Sequence, residues 1–528
     1  MICAGKVDTH ALRAGRAASR FSGPALAIAW LPYKLQSGAP TMQFAFDNSF
    51  HADMQGFYAP AEAAKPSAPR LLAFNDALAE RLGFDRRGVD ADELARVFSG
   101  EELPEGAAPI ALAYAGHQFG HFSPQLGDGR ALLLGEIVAP DGARFDIQLK
   151  GSGPTAFSRG GDGKAAIGPV LREFLVSEAM AAMGVPTTRA LAAVTTGERV
   201  ERERAHPGAV LTRVASSHIR VGTFQFFAAH FGADHVVQLS DYSIARHFPD
   251  LADAANPHLA LLDRVIGLQC ALIARWLGVG FIHGVMNTDN VAISGETIDY
   301  GPCAFMDRFA ANTVFSSIDA TGRYAYGRQP QIMHWNMARF AEALLPAIHR
   351  VSPADVEAAK ALVDAIPGRF RAAWHAQVRE KLGLSTSAGD DAELIDRLFD
   401  ELEKHSVDFT TFFRALAMLL RGEGAMMQAL LPAPDAMAPW IADWWQRIEQ
   451  DAANPLDLAD AMDAVNPLYI PRNHRVEAAL EAAEAGDPAP WLELLEVVRQ
   501  PFAARAGRER FAEPAPADAA PYTTFCGT

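Results

Sequence analysis

Between about residues 108 and 305 the chain alternates short apolar runs with glycine, and after about 340 those runs give way to helical periodicity. RALLLGEIVA (130–139), RFDIQLKG (144–151), RALAAVTTG (189–197) and GAVLTRVA (208–215) read as strands. Two helical patterns interrupt them, IGPVLREFLVSEAMAAMG (167–184) and HLALLDRVIGLQCALIARWLG (258–278), each closed by a glycine in the stop position. DDAELIDRLFDELEKH, DFTTFFRALAMLLRG, PWIADWWQRIEQ, RVEAALEAAEAG and PWLELLEVVRQPF then carry the helix period alone. Strands gathered ahead of helices predict an α+β fold.

The 528 residues allow two or three domains, or one large body with a helical addition, and 49% hydrophobic content supplies a core. A formal charge of −16, from 63 acidic and 47 basic residues, argues against nucleic acid or an anionic membrane as the main partner. Any basic site must therefore be a local pocket. An unbroken apolar run of about 18 residues is lacking, so no membrane span is expected. Cys3, Cys270, Cys303 and Cys526 show no metal-ligand spacing, which fits a reducing cytoplasm.

The division expected is as follows. Residues 1–41, rich in Ala and Arg, read as a leader or a mis-assigned start ahead of Met42, disordered in either case; a mitochondrial address follows only if they form a genuine transit peptide. Residues 42–107 form an N-terminal extension, 108–240 the sheet-rich nucleotide-binding part, and 241–505 a mainly helical part. The stretch 506–528 is a flexible tail bearing Cys526, a candidate redox residue or a plain surface thiol.

Several motifs carry chemistry. In PQLGDGRALLLGEI, Gly127 and Gly129 let backbone amides approach a phosphate and Arg130 adds positive charge, although Gly-Asp-Gly is also an ordinary hairpin turn. In RFDIQLKG, Phe145, Ile147 and Leu149 share one face and Asp146, Gln148 and Lys150 the other, so Lys150 points away from the core. Glu173 shares a helix face with Val170, Val176 and Met180; an inward Glu needs a cation, and Lys150 is the candidate, with a surface Glu the alternative. SRGGDGKAAIGP (158–169), with Asp162 and Gly163, is either a loop that closes on a ligand or a long connection. Arg213 and Arg220, seven residues apart, suit an anion pocket or an ordinary surface.

HGVMNTDNVAISGETIDYG (283–301) is similar to the catalytic loop and metal-binding Asp-x-Gly of protein kinases, with Asn290 and Asp299 as oxygen ligands of a hard cation such as Mg²⁺ or Mn²⁺. Glycine turn, strand lysine and helix glutamate precede it in the kinase order. Where a kinase keeps its catalytic Asp, however, this chain has Val285.

Together YAGHQFG (114–120), QLGDGR (125–130), LKGSGPTAFSRGGDGKA (149–165), LREFLVSEAM (171–180), GVPTTRAL (184–191), HIRVGTFQFF (218–227), HGVMNTDN (283–290), DYGP (299–302) and GRYAYGRQP (322–330) make the chain resemble the selenoprotein O family, the kinase-fold protein adenylyltransferases. The resemblance covers nearly everything after Met42. It implies a bilobal protein-kinase-like fold in which ATP lies turned end for end, so that AMP passes to a Ser, Thr or Tyr hydroxyl of a protein substrate. By the same resemblance Gly127, Gly129, Arg130, Lys150, Asp162, Gly163, Arg213, Arg220 and Asp299 contact nucleotide, Glu173 pairs with Lys150, Asn290 and Asp299 hold Mg²⁺ or Mn²⁺, and Asp289 accepts the proton. Inversion moves the reacting phosphorus, so valine is tolerable at 285. Members often carry a cysteine near the C-terminus, which Cys526 matches; its partner among Cys3, Cys270 and Cys303 is not readable from sequence. Mn²⁺-dependent UMP transfer from UTP, ordinary phosphotransfer, and a non-catalytic nucleotide-binding scaffold are the competing functions.

Overall fold

The computed structural model describes residues 44–525 apart from Asp85, Pro434, Ala452 and Ala517. The leader or start expected over 1–41, together with Cys3 and Cys526, lies outside the described residues.

Twelve strands occur among these residues: β1 (Tyr58–Pro60), β2 (Arg70–Phe74), β3 (Ile110–Leu112), β4 (Gly116–Gln118), β5 (His121–Ser123), β6 (Ala131–Val138), β7 (Arg144–Lys150), β8 (Ala165–Ala166), β9 (Arg189–Glu201), β10 (Ala205–Ala215), β11 (Phe281–Ile282) and β12 (Ala304–Phe305). The main sheet runs β1-β3-β6-β7-β10-β9-β2, with β8 added to β10. Its pairings are antiparallel, as tight turns between successive strands allow. Strands β1 and β2 come from the stretch expected to be an extension and form both edges of the sheet.

Helices α1 (Ser49–Asp53), α2 (Asp76–Arg81) and α3 (Ala91–Ser99) precede β3. Leu78 and Leu82, with Leu94 and Phe98 of α3, cover one face of the sheet through Leu132, Ile147, Leu149 and Val210. Because neighbours on a strand point to opposite faces, Ala209 and Leu211 of β10 meet the other layer. That layer is α4 (Ile167–Ala182), backed by the late helices Asn473–Glu484 and Ala489–Val498. The Trp491 indole donates to the Leu171 carbonyl at 3.1 Å and its ring meets Phe174 edge-on.

After Ala215 the chain leaves the sheet for α5 (Val221–His230), α6 (Ala233–His247), α7 (Pro257–Gly278) and α8 (Gln329–Val351), which share a large apolar core with the helices that follow. By length and composition α7 could cross a membrane, with mean hydropathy 1.3. Here it packs against α8 and Ile366–Lys381, burying Leu261, Leu262, Val265 and Ile266 completely.

Two sequence expectations need correction. The face of β7 that carries Lys150 points away from one core but not to water: Asp146 and Gln148 on it are buried, Gln148 against Asp128 and Arg213. Asp146 pairs there with Arg246 at 2.6 Å and with His218 at 2.9 Å. The stretch expected as a flexible tail is strapped down as far as Thr524, whose N–H donates to Phe315 O at 2.7 Å and whose hydroxyl donates to Pro302 O at 2.8 Å.

Candidate active site

Register on the sheet decides which cations meet. Lys150 stands opposite Leu211 and Gln148 opposite Arg213, so lysine and arginine project from one face toward α4. There α4 supplies Glu173, 3% exposed, in a stretch otherwise packed with Val170, Phe174 and Leu175. Lys150 Nζ lies 2.7 Å from Glu173 Oε2, and Arg213 Nε donates to Glu173 Oε1 at 2.8 Å. Burial works against ionisation of Glu173, yet Arg213 and Lys150 hold its carboxyl below the usual range. The expected Lys–Glu pair is therefore present, with Arg213 as its third member.

Asp299 faces the same cations from the helical side. Its Oδ1 is 2.8 Å from Lys150 Nζ and 2.6 Å from Arg213 Nη2, and its Oδ2 is 2.5 Å from Arg220 Nη1. Burial again opposes the charge, but Arg213, Lys150 and Arg220 take the carboxyl well below its ordinary value. Its backbone sits at φ 62°, a left-handed conformation that a non-glycine residue keeps only where its surroundings enforce it. The following Gly301 N–H closes the turn on the Asp299 carbonyl at 2.8 Å.

Asp289 lies in a single 3-10 turn, Thr288–Asn290. Arg220 Nη1 donates to the Asp289 carbonyl at 2.7 Å. One carboxylate oxygen, Oδ1, is buried without a hydrogen-bond partner. Burial raises the Asp289 carboxyl to about 6, with Arg220 offsetting only part of that rise. A carboxyl tuned toward neutrality and left short of partners is suited to receiving a proton.

Asn290 Nδ2 donates to Val285 O at 2.9 Å, which turns its Oδ1 to the remaining side. Among the described residues no cluster of three His, Cys, Asp or Glu forms a self-sufficient metal site. An amide oxygen from Asn290 and carboxylate oxygens from Asp299 fit a hard cation completed by water and phosphate oxygens, the mode usual for Mg²⁺.

These groups line one cleft of about 580 Å³, bounded on the sheet side by Gly127, Gly129, Arg130, Lys150, Asp162, Gly163 and Arg213, and on the other by Arg220, Val285, Asp289, Asn290 and Asp299. All the sequence-expected site residues among the described residues except Glu173 thus share this lining, and Glu173 stands behind it, bonded to Lys150 and Arg213. Gly127 adopts φ 89° against the Phe157 ring, where a Cβ would overlap that ring. Asp162 lies at the rim and pairs with Arg202 at 2.9 Å, a bond that lowers its carboxyl.

Sequence reading missed the parts that hold these residues in place. Asp128, the middle residue of Gly-Asp-Gly, is 2% exposed, accepts from Leu112 N and the Gln148 amide, and stands 3.9 Å from Arg220. Tyr114 stacks on the Arg220 guanidinium, 4.6 Å from the ring centroid. The hairpin β4–β5 clamps the turn before Asp289: His117 N–H donates to Thr288 Oγ1 at 2.7 Å and Phe119 N–H to Asn287 Oδ1 at 3.0 Å. Gly116 presses so closely on the Asp289 side chain that a Cβ would overlap it. The quoted YAGHQFG contained this signal, since a glycine inside a strand marks a close approach.

Comparison with known proteins bears on the chain as a whole. The family model described as "Protein adenylyltransferase SelO" matches residues 40–499. A protein nucleotidyltransferase YdiU of Chromobacterium violaceum is 57% identical over 474 residues, covering 89% of this chain and 99% of its own length. Proteins of the same name from Cereibacter sphaeroides and Rhodopseudomonas palustris are 55% and 54% identical over 491 residues, each covering 92% of this chain and 100% of the relative. The chain belongs to the SelO family.

Proposed function

We propose that this protein is a nucleotidyltransferase that moves the AMP part of ATP to a Ser, Thr or Tyr hydroxyl of a protein, releasing pyrophosphate. The observation that carries the reading is Asp289: a buried carboxylate with an unpartnered oxygen, raised to about 6, lining the cleft in which Lys150, Arg213 and Arg220 gather. Family membership and the nucleotidyltransferase names of the relatives support the same reaction class. We read the sheet with α4 as one lobe and the helical body as the other lobe of a protein-kinase-like fold, with ATP between them and its α-phosphate toward Asp289.

On this reading the acceptor hydroxyl loses its proton to Asp289 as its oxygen bonds to the α-phosphorus and the bond from that phosphorus to the bridging oxygen of pyrophosphate breaks. Lys150, Arg213 and Arg220 are placed to neutralise the triphosphate and the charge developing on the leaving group, a preorganised term that costs no rearrangement during the step. Glu173 keeps Lys150 and Arg213 aimed at the cleft. Asn290 and Asp299 would hold Mg²⁺ or Mn²⁺, which when bound supplies further charge neutralisation on the phosphates. Val285, at the position of a kinase base, is buried and apolar and offers no proton acceptor there.

The test is intact-mass analysis of an acceptor protein after incubation with ATP and the cation, repeated with UTP and with Asp289→Ala. The reading expects the acceptor to gain one AMP from ATP, little from UTP, and nothing with Asp289→Ala. An unmodified acceptor, or a phosphate-sized gain, contradicts it.

A further inference from the structure

The hairpin β4–β5 touches Asp289 at one end and carries a cationic, aromatic surface at the other. The His117 ring lies 4.9 Å from Phe122 and meets Trp335 of α8 edge-on at 5.0 Å. Two guanidiniums flank that indole: Arg323 at 5.0 Å from the ring centroid and Arg339 at 5.3 Å. Arg323 also lies over the hairpin turn, with its guanidinium within ordinary contact of where a Cβ of Gly120 would stand. Phe122 at the edge of this surface is 43% exposed, and Ile318, which lines the cleft, is 49% exposed.

Part of the charge here is not cancelled within the protein. The Arg323 Nε is buried without a hydrogen-bond partner, and among the described residues no carboxylate forms an ion pair with this guanidinium. The nearest carboxylate in sequence, Asp319, is buried and accepts the backbone N–H groups of Arg323 and Tyr324 at 2.8 Å each. Arg339 pairs with Glu342 at 2.6 Å in a surface pair, so Arg323 carries the excess positive charge of the site. Burial, then Arg339 and Arg323, depress the His117 imidazole. In a chain of net charge −16 this surface stands out as a local site for an anion.

We infer that the acceptor polypeptide docks in extended form along the β4–β5 hairpin, with an acidic side chain seated between Arg323 and Arg339 on Trp335. The inference rests on the hydroxyl-transfer reading above. Gly116, against Asp289, and His117, against Trp335, are consecutive on one strand, and an extended peptide advances about 3.3 Å per residue. The two contacts are thus neighbours along the hairpin, and the acid is expected within about three positions of the hydroxyl presented to Asp289. Arginine over an aromatic ring also suits single-stranded nucleic acid, but the strongly acidic body repels a polyanion and favours a peptide bearing one or two acids.

Fluorescence anisotropy with the full-length protein tests this. The probes are a labelled nine-residue serine peptide with Asp two and three positions from the serine, the same peptide with Asn or with Lys there, and a labelled single-stranded oligonucleotide. The Asp peptide is expected to bind at least 10-fold more tightly than the Asn peptide. Arg323→Ala is expected to shrink that ratio and Arg323→Glu to reverse it toward the Lys peptide, both variants melting like the parent. Equal affinity for the Asp, Asn and Lys peptides, or tighter binding of the oligonucleotide, overturns the inference. A parallel incubation with ATP separates the two readings: acid preference without transfer to any peptide keeps the docking surface and overturns hydroxyl transfer, whereas transfer without acid preference overturns the surface alone.

Discussion

Arg220 Nη1 lies 2.5 Å from Asp299 Oδ2, and the same nitrogen donates to the backbone carbonyl of Asp289 at 2.7 Å. One side chain thereby ties the turn that carries the proposed base to the carboxylate proposed to hold the cation. Arg220 is itself braced by the Tyr114 ring and by Asp128. The proposed proton acceptor and the phosphate-binding charges are thus held by one shared side chain.

Arg220→Lys keeps the charge but loses the fork that reaches Asp299 and the Asp289 carbonyl together. Misplacing a reacting group by about 1 Å can cost about 100-fold, so kcat is expected to fall by about that factor while the melting temperature changes little. Steady-state kinetics beside a thermal melt check this; parent-like kcat would remove Arg220 from the machinery.

Gly116→Ala places a methyl group where the Asp289 carboxylate now lies. The turn must shift, and the expected result is a kcat loss of about 10- to 100-fold with ATP affinity nearly unchanged, because the displaced group serves the acceptor rather than the phosphates. Calorimetric titration with ATP, set against initial rates, separates the two quantities.

Lys381 governs a pH effect on stability away from the cleft. Its ammonium is 3% exposed, donates to Asn466 Oδ1 at 2.7 Å, lies 3.9 Å from the Phe413 ring centroid, and is lowered by burial to about 7. Its ordinary value is about 10.4, so between those two pH values the unfolded chain binds more protons than the folded one. Stability must then rise with pH across that window, by at most about 1.4 kcal/mol per pH unit, and level off below about 7. Lys381→Met removes this contribution, so its stability relative to the parent is expected to be greatest below pH 7 and to decline toward pH 10. Urea melts of both proteins over that range measure the difference, and a pH-independent difference contradicts the assignment.

Long periodic elements were legible in the sequence. The runs at 130–139 and 144–151 became Ala131–Val138 and Arg144–Lys150, and the helices read at 167–184 and 258–278 became Ile167–Ala182 and Pro257–Gly278. The edge strands Tyr58–Pro60 and Arg70–Phe74 were missed because three and five residues are too short to show a period. The meeting of Arg213 and Arg220 on Asp299 was not readable either: seven residues apart, one projects from β10 and the other from the cap of α5, and only the fold closes the gap. Lys150 was read as pointing away from the core, and the cover over its face was not legible, because alternation on a strand separates two faces without saying what covers each. Asp128 was hidden differently, since its turn motif is ordinary and only burial beside Arg220 gives it a role.

The most direct measurement uses ATP labelled on either the α- or the γ-phosphate, incubated with the protein, the divalent cation and an acceptor protein. Protein-bound label from α-labelled ATP alone, lost in Asp289→Ala, is the predicted result. Protein-bound label from γ-labelled ATP alone, or from neither, would contradict AMP transfer.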